Sequence, residues 1–272
     1  MTDRYAVLGN PIAHSKSPQI HKMFARQTGQ DISYEAILAP LDGFVATVER
    51  LRKEGYKGCN VTVPFKFEAF QLATQLTERA QAAHAVNTLK FDGDTLLGDN
   101  TDGAGLVRDI EHNHHFPLRN CRVLLMGAGG AAYGAVLPLL AAGTNITVAN
   151  RTHSKAVQLC QTFAGYGDIV AASYEELNLG IQQFDVVINA TSSGLGDDDK
   201  PPLPEGILQA NGLAYEMVYG RDTQFKKFAN KYHMKFADGL GMLVEQAAVA
   251  FFIWRGVRPE TAPVIAALRE SK

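Results

Sequence analysis

The stretch Val123-Leu124-Leu125-Met126-Gly127-Ala128-Gly129-Gly130-Ala131-Ala132 leaves this chain few choices of fold. Four apolar residues of strand type enter a glycine cluster and leave it through alanines that favour a helix. A strand, a tight glycine turn and a helix in that order make the phosphate-gripping half of a dinucleotide site. Glycine lets the backbone approach a pyrophosphate, and the unpaired N–H groups of the helix N-terminus face its charge. Read as Gly127-x-Gly129-x-x-Ala132, the run fits the dinucleotide fingerprint with alanine in the third glycine slot. Glycine turns also arise from packing alone, so the next strand has to arbitrate.

Asn145 to Ala149 read as that strand, and it ends in Asn150-Arg151-Thr152-His153-Ser154-Lys155. An NAD site usually carries Asp or Glu about 20 residues after the glycines, to accept from the ribose 2′-hydroxyl. This segment has no carboxylate, and Arg151 and Lys155 stand where a 2′-phosphate would lie. A guanidinium grips phosphate oxygens in pairs and also stacks on adenine. The cofactor expected is therefore NADP rather than NAD.

At 272 residues the chain has room for one large domain or two modest ones. It is 46% hydrophobic and 20% charged, which supports a full core and argues against disorder. A formal net charge of -2 gives no electrostatic case for nucleic acid or a membrane surface. No apolar run is long enough to span a bilayer, and the N-terminus lacks a signal-peptide pattern. Cys59, Cys121 and Cys160 are widely spaced without a C-x-x-C, as in a reduced, cytoplasmic protein. Cys59 adjoins a polar segment discussed below, so a thiol reagent could inhibit, although packing is the commoner fate of such a residue.

Two α/β layers follow from the order of elements. In the first, Tyr5–Leu8 is a strand, and Ser17-Pro18 has the N-cap serine and N1 proline of a helix start. Ile32–Leu38 reads as a strand, Leu41–Lys53 as an amphipathic helix and Gly58–Val63 as a strand broken by Pro64. Val86–Lys90 and Thr95–Leu97 flank Asp92-Gly93-Asp94, a hairpin signal. From Asn120 a second alternation begins, with strands near 122–126, 145–149, 168–171, 185–190 and 212–216. That is the doubly wound (Rossmann) pattern. Leu240–Arg255 and Glu260–Arg269 are helical by period and are expected to return to the first layer. The expected domains are 1–101 plus 240–272 for substrate and catalysis, and 102–239 for NADP. The segment from Asp197 to Pro202 reads as a polar, mobile loop.

Four N-terminal segments are polar where core residues would be easier to place. They are Gly9-Asn10-Pro11-Ile12-Ala13-His14-Ser15-Lys16-Ser17-Pro18, Asn60-Val61-Thr62-Val63-Pro64-Phe65-Lys66, Ala85-Val86-Asn87-Thr88-Leu89 and Gly98-Asp99-Asn100-Thr101-Asp102-Gly103. With the glycine turn, Asn150–Lys155 and Asp238-Gly239-Leu240-Gly241-Met242-Leu243-Val244-Glu245-Gln246-Ala247, this set closely resembles the shikimate dehydrogenases over nearly the whole chain. The resemblance implies reversible NADPH-dependent reduction of 3-dehydroshikimate to shikimate, a step toward aromatic amino acids. It implies Lys66 and Asp102 at the catalytic centre, and Ser15, Ser17, Thr62, Asn87, Asp102, Tyr219 and Gln246 against the substrate. Gly127, Ala128, Gly129, Gly130 and Ala131 would hold the pyrophosphate. Asn150, Arg151, Thr152 and Lys155 would take the 2′-phosphate side, with Thr191, Met217 and Gly239 near the nicotinamide half. Relatives often carry Ser-Arg in place of Ala132-Tyr133 and Arg in place of Lys155. The second change keeps charge but loses the planar fork.

The chemistry suits these residue types. A small ring with one carboxylate and several hydroxyls needs fixed donors and acceptors, and no arginine falls inside the substrate segments. The serine hydroxyls and the helix opening at Pro18 are expected to meet the carboxylate. A lysine ammonium carries a proton at neutral pH, ready for the alkoxide formed in ketone reduction, and a carboxylate beside it keeps donor and oxygen in register. In the oxidative direction the lysine must start neutral, so the rate is expected to climb with pH. His112, His114 and His115 lack a carboxylate partner in sequence and read as a polar helix end rather than a metal site. His14 reads as structural and Trp254 as core, and Glu78, Glu245 and Asp99 stand near site segments. Competing readings are a quinate/shikimate dehydrogenase relative with relaxed cofactor or substrate use, and a non-catalytic NADP-binding regulatory module. The partners expected are small molecules, with the chain a monomer or homodimer.

Overall fold

The structure, a computed structural model, describes residues 2–179, 182–191 and 202–270. The chain divides into two compact units, Met1–Gly105 with Leu243–Lys272, and Leu106–Met242. This division puts Asp102 in the same unit as Lys66.

In the first unit β1 (Asp3–Gly9), α1 (Ser17–Thr28), β2 (Ile32–Leu38), α2 (Phe44–Lys53) and β3 (Gly58–Val61) alternate. They are followed by α3 (Lys66–Leu72), β4 (Gln75–Leu76), α4 (Glu78–Ala83), β5 (Thr88–Asp92), β6 (Thr95–Asp99) and the start of α5 (Asp102–Arg108), whose last three residues belong to the second unit. The sheet order is β2-β1-β3-β5-β6-β4, with antiparallel pairing only where β5 meets β3 and β6. The hairpin at Asp92-Gly93-Asp94 forms with Gly93 at φ 56, as its sequence signal required. The helix expected from Leu41 begins at Phe44, because Pro40 and Gly43 close a turn (Gly43 N to Pro40 O, 3.0 Å). The strand expected to reach Val63 ends at Val61, where Phe65 N donates to Thr62 O at 3.0 Å.

The second unit holds β7 (Arg122–Met126), α6 (Gly130–Ala141), β8 (Asn145–Ala149), α7 (His153–Phe163), β9 (Ile169–Ala172), α8 (Tyr174–Asn178), β10 (Phe184–Asn189), β11 (Leu208–Glu216), α9 (Gln224–Lys231) and β12 (Lys235–Asp238). All its strands are parallel, in the order β12-β11-β10-β7-β8-β9. Strand order therefore reverses between β7 and β10, where a doubly wound sheet binds its dinucleotide. The strand expected at 212–216 starts earlier, at Leu208, and β12 had no sequence signal: Lys235-Phe236-Ala237-Asp238 is too short and polar. Asp109–Asn113 form a π-helical turn, and His114 Nε2 lies 3.5 Å from Asp109 Oδ2. The histidine cluster thus does have a carboxylate partner, one helical turn back rather than adjacent in sequence. The mobile loop expected at 197–202 falls outside the described residues except for Pro202.

α10 (Leu240–Arg255) and α11 (Ala262–Glu270) close the chain. Trp254 stacks on Tyr5 with centroids 4.6 Å apart and donates its indole N–H to Leu89 O at 3.0 Å. Gly58 is what lets the indole through, since a Cβ there would lie 2.5 Å from Trp254 Nε1.

His21, on α1, is fully buried and stacks on Tyr34 at 4.1 Å. Among the described residues neither ring nitrogen finds a well-formed hydrogen bond. Burial pushes its pKa down to about 3, with Asn60 acting weakly the other way. Only the neutral ring suits the fold, so below about pH 6.5 the unfolded chain takes up the proton and stability is lost as pH falls. At pH 5 this group alone costs about 2 kcal/mol relative to pH 7.5. His21→Phe is expected to shrink the drop in Tm between those two pH values; an equal drop in both proteins would remove His21 as its cause.

Candidate active site

Backbone hydrogen bonds sew the four polar segments of the first unit together. Thr62 N donates to Leu8 O at 2.9 Å and Asn10 N to Val63 O at 3.0 Å, joining the first segment to the second. Gly9 permits this, because a Cβ there would meet Thr62 Cγ2 at 2.5 Å. Val61 N to Asn87 O (2.8 Å) and Val86 N to Lys66 O (2.9 Å) join the second to the third. Asn87 N to Asp99 O (3.0 Å) reaches the fourth. Asp99 is buried and holds that segment in place through both oxygens on Arg79 (2.7 and 2.6 Å) and through Thr77.

Lys66 opens α3 and Asp102 opens α5, and their side chains meet, Nζ to Oδ2 at 2.5 Å. Asn87 Nδ2 donates to the other oxygen, Asp102 Oδ1, at 2.7 Å. The carboxylate is thus held at one oxygen and faces the ammonium with the other. Gln246 joins through its Oε1, 3.3 Å from Thr101 Oγ1 and 3.4 Å from Asn87 Nδ2. Lys66, Asn87, Asp102 and Gln246 form one polar cluster in a single unit.

Ser17 is not the N-cap expected from sequence. Lys16 occupies that position, and the Ser15 hydroxyl accepts from Ser17 N at 3.3 Å. The Ser15 hydroxyl thus takes an N–H at the helix start, and the Ser17 hydroxyl does not cap it. Thr62 and Ser15 are half-buried; Tyr219 lies in the second unit, half-buried, with its phenol pKa raised by burial. Asn60 had no role assigned from sequence, yet its Nδ2 donates to Asn87 O and Thr88 Oγ1 while Tyr34 OH donates to its Oδ1 at 2.7 Å. An asparagine inside a buried strand was the available signal. Cys59 is buried and burial pushes its thiol pKa up, so it is a packed residue and a poor target for thiol reagents.

In the second unit Gly127 takes φ 109, and a Cβ there would press on Ala190 O and Thr191 Cγ2 at 3.1 Å. The turn after β7 and the turn after β10 therefore touch at the reversal of strand order. Gly129, Gly130 and Ala131 are exposed at the start of α6, which has neither a capping side chain nor an acidic residue in its first turn. Ala132, the third fingerprint slot, is fully buried. Arg151, Thr152 and Lys155 are exposed beyond β8, and Asn150 Nδ2 closes their turn on Thr152 O at 2.9 Å. Open N–H groups, a segment without a carboxylate after β8 and two exposed cations suit a dinucleotide with a 2′-phosphate. Gly239 is buried against the Met217 backbone, where a Cβ could not fit. Among the described residues no three His, Cys, Asp or Glu side chains are grouped to hold a metal ion.

Three family profiles match in chain order: shikimate dehydrogenase substrate binding domain over 7–89, shikimate / quinate 5-dehydrogenase over 110–195, and shikimate 5′-dehydrogenase C-terminal domain over 239–269. The shikimate dehydrogenase (NADP+) of Nitrosospira multiformis is 59% identical over 274 residues, covering 100% of this chain and 98% of the relative. The chain belongs to the shikimate dehydrogenase family. Among solved structures, an Ael1 enzyme from Pseudomonas putida is 49% identical with a TM-score of 0.92, covering 98% of each chain. Shikimate 5-dehydrogenase from Thermus thermophilus, crystallised with NADP(H) and shikimate, is 32% identical with a TM-score of 0.88 over 100% of each chain. The family's two α/β units, one of them a parallel doubly wound sheet, are those of this chain, which is an oxidoreductase.

Proposed function

We propose that the protein catalyses the reversible NADPH-dependent reduction of 3-dehydroshikimate to shikimate, on the route to aromatic amino acids. The observation that carries this reading is the Lys66–Asp102–Asn87–Gln246 cluster, in a chain 59% identical to an NADP-dependent shikimate dehydrogenase. When bound, NADPH supplies the hydride to the carbonyl carbon. Lys66 Nζ gives its proton to the oxygen that becomes the hydroxyl. Asp102 Oδ2 orients that ammonium and accepts from the product hydroxyl, while Asn87 keeps the carboxylate from turning. Ser15, Ser17 and Thr62 supply hydroxyls, and Gln246 an amide, to the ring carboxylate and its substituents. The glycine turn and the start of α6 hold the pyrophosphate, and Asn150, Arg151, Thr152 and Lys155 the 2′-phosphate. Thr191, Met217 and Gly239 take the nicotinamide half. Three cysteines without disulfides suit a reducing cytoplasm, and no helix among the described residues is long and apolar enough to cross a membrane.

Steady-state oxidation of shikimate with NADP, followed by the absorbance of NADPH, tests the reading. Turnover is expected with shikimate and NADP at least about tenfold more efficient than with NAD, the size of one lost hydrogen bond to a charged group. NADPH binding without turnover of shikimate or quinate would replace the enzyme with a cofactor-binding module.

A further inference from the structure

Glu216 ends β11, is 2% exposed, and has no part in the groups described so far. Its register partner across the sheet is Asn189, the last residue of β10. Glu216 Oε2 accepts from Asn189 Nδ2 at 3.1 Å and from Thr223 Oγ1 at 3.0 Å. Because the Asn189 amide is planar, committing Nδ2 to the carboxylate turns Oδ1 the other way. That oxygen accepts from Thr191 N at 3.1 Å and from Thr191 Oγ1 at 2.7 Å. The Asn189 carbonyl in turn accepts from Met217 N at 3.1 Å.

A buried carboxyl is costly, and burial pushes this one's pKa up while the Thr223, Asn189 and Val218 donors pull it down. An apolar residue would suit the end of a buried strand better on packing grounds alone. What the carboxylate adds is polarity, since it only accepts and so leaves the Asn189 amide one orientation. We propose that Glu216 and Asn189 are positioning residues, an acceptor–amide relay that fixes the two turns carrying Thr191 and Met217 for the nicotinamide half of the cofactor. The inference rests on the functional reading above, which assigns those two turns to NADP.

The relay can be broken and rebuilt. Asn189→Asp puts an acceptor against an acceptor and is expected to raise the KM for NADP and the Kd for NADPH by about tenfold or more, as loss of a hydrogen bond to a charged group does. The KM for shikimate should stay within about threefold, since its groups lie mainly in the other unit. Adding Glu216→Gln restores a donor opposite the introduced carboxylate, whose second oxygen still serves Thr191. The double variant should recover a Kd for NADPH within about threefold of wild type; the threshold reflects ordinary non-additivity between touching residues. NADPH binding is read by fluorescence without substrate, alongside circular dichroism. An unchanged Kd in a folded Asn189→Asp protein, equal losses for both ligands, or no recovery in the double variant would overturn the relay. If Asn189→Asp does not fold, the double variant alone decides. Weakened NADPH binding together with a wild type that turns over no shikimate would leave the relay standing and remove the functional reading.

Discussion

Replacing Lys66 with alanine is expected to lower kcat by about a thousandfold, within the range for loss of a positioned proton donor, with the KM for shikimate nearly unchanged. In the proposed site the substrate's hydrogen bonds come mainly from hydroxyl and amide side chains, so the lysine's contribution is to the reacting oxygen. Lys66→Arg separates charge from proton transfer, because a guanidinium keeps the charge but does not give up its proton. It should be nearly as slow as the alanine variant. In the oxidative direction the proposed mechanism runs in reverse, with Lys66 taking the proton from the substrate hydroxyl, so the same variants should be slow there too. Both single variants at wild-type kcat, measured with saturating shikimate and NADP, would remove Lys66 as the proton carrier.

The second large effect is on cofactor choice. Arg151 stands exposed just beyond β8, in a segment without a carboxylate. Arg151→Asp removes the cation proposed for the 2′-phosphate, sets a like charge in its place, and offers an acceptor to a ribose 2′-hydroxyl. The ratio of kcat/KM for NADP to that for NAD is expected to fall by about a thousandfold, or roughly 4 kcal/mol. Lys155→Ala should shift the same ratio by about tenfold at most, since its ammonium lacks the fork. A ratio that stays put in Arg151→Asp would place the 2′-phosphate elsewhere.

The parts of the fold legible in sequence were those with local causes. Ile32–Leu38 alternates through a strand, Asp92-Gly93-Asp94 dictates its hairpin, and the glycine turn follows β7 at the place its motif requires. Lys66 and Asp102 stand 36 positions apart, and only their segments, not their spacing, suggested that they meet. The features without a local signal depend mostly on partners distant in the chain. β12 is a strand because β11 offers it an edge, whereas the cap at α1 is a local matter: Lys16 already turns toward the helix and takes the N-cap position expected of Ser17. Asn60, Asn189 and Glu216 are polar residues at buried strand positions, where sequence pattern alone expects an apolar side chain. The bonds that join Asn60 to Tyr34 and Asn87, and Asn189 to Glu216, reach across strands, and no local window contains both ends.

Trp254 reaching Leu89 past Gly58 has a consequence for how the protein is made. A ribosome delivers the first unit's sheet early, then the whole parallel sheet, and only afterwards the helix that carries the indole. Until then the nascent first unit has an open seam along Tyr5 and Gly58, while the second unit has every strand it needs. Chaperone binding and proteolysis of stalled chains should therefore concentrate on the early residues rather than on the middle of the chain.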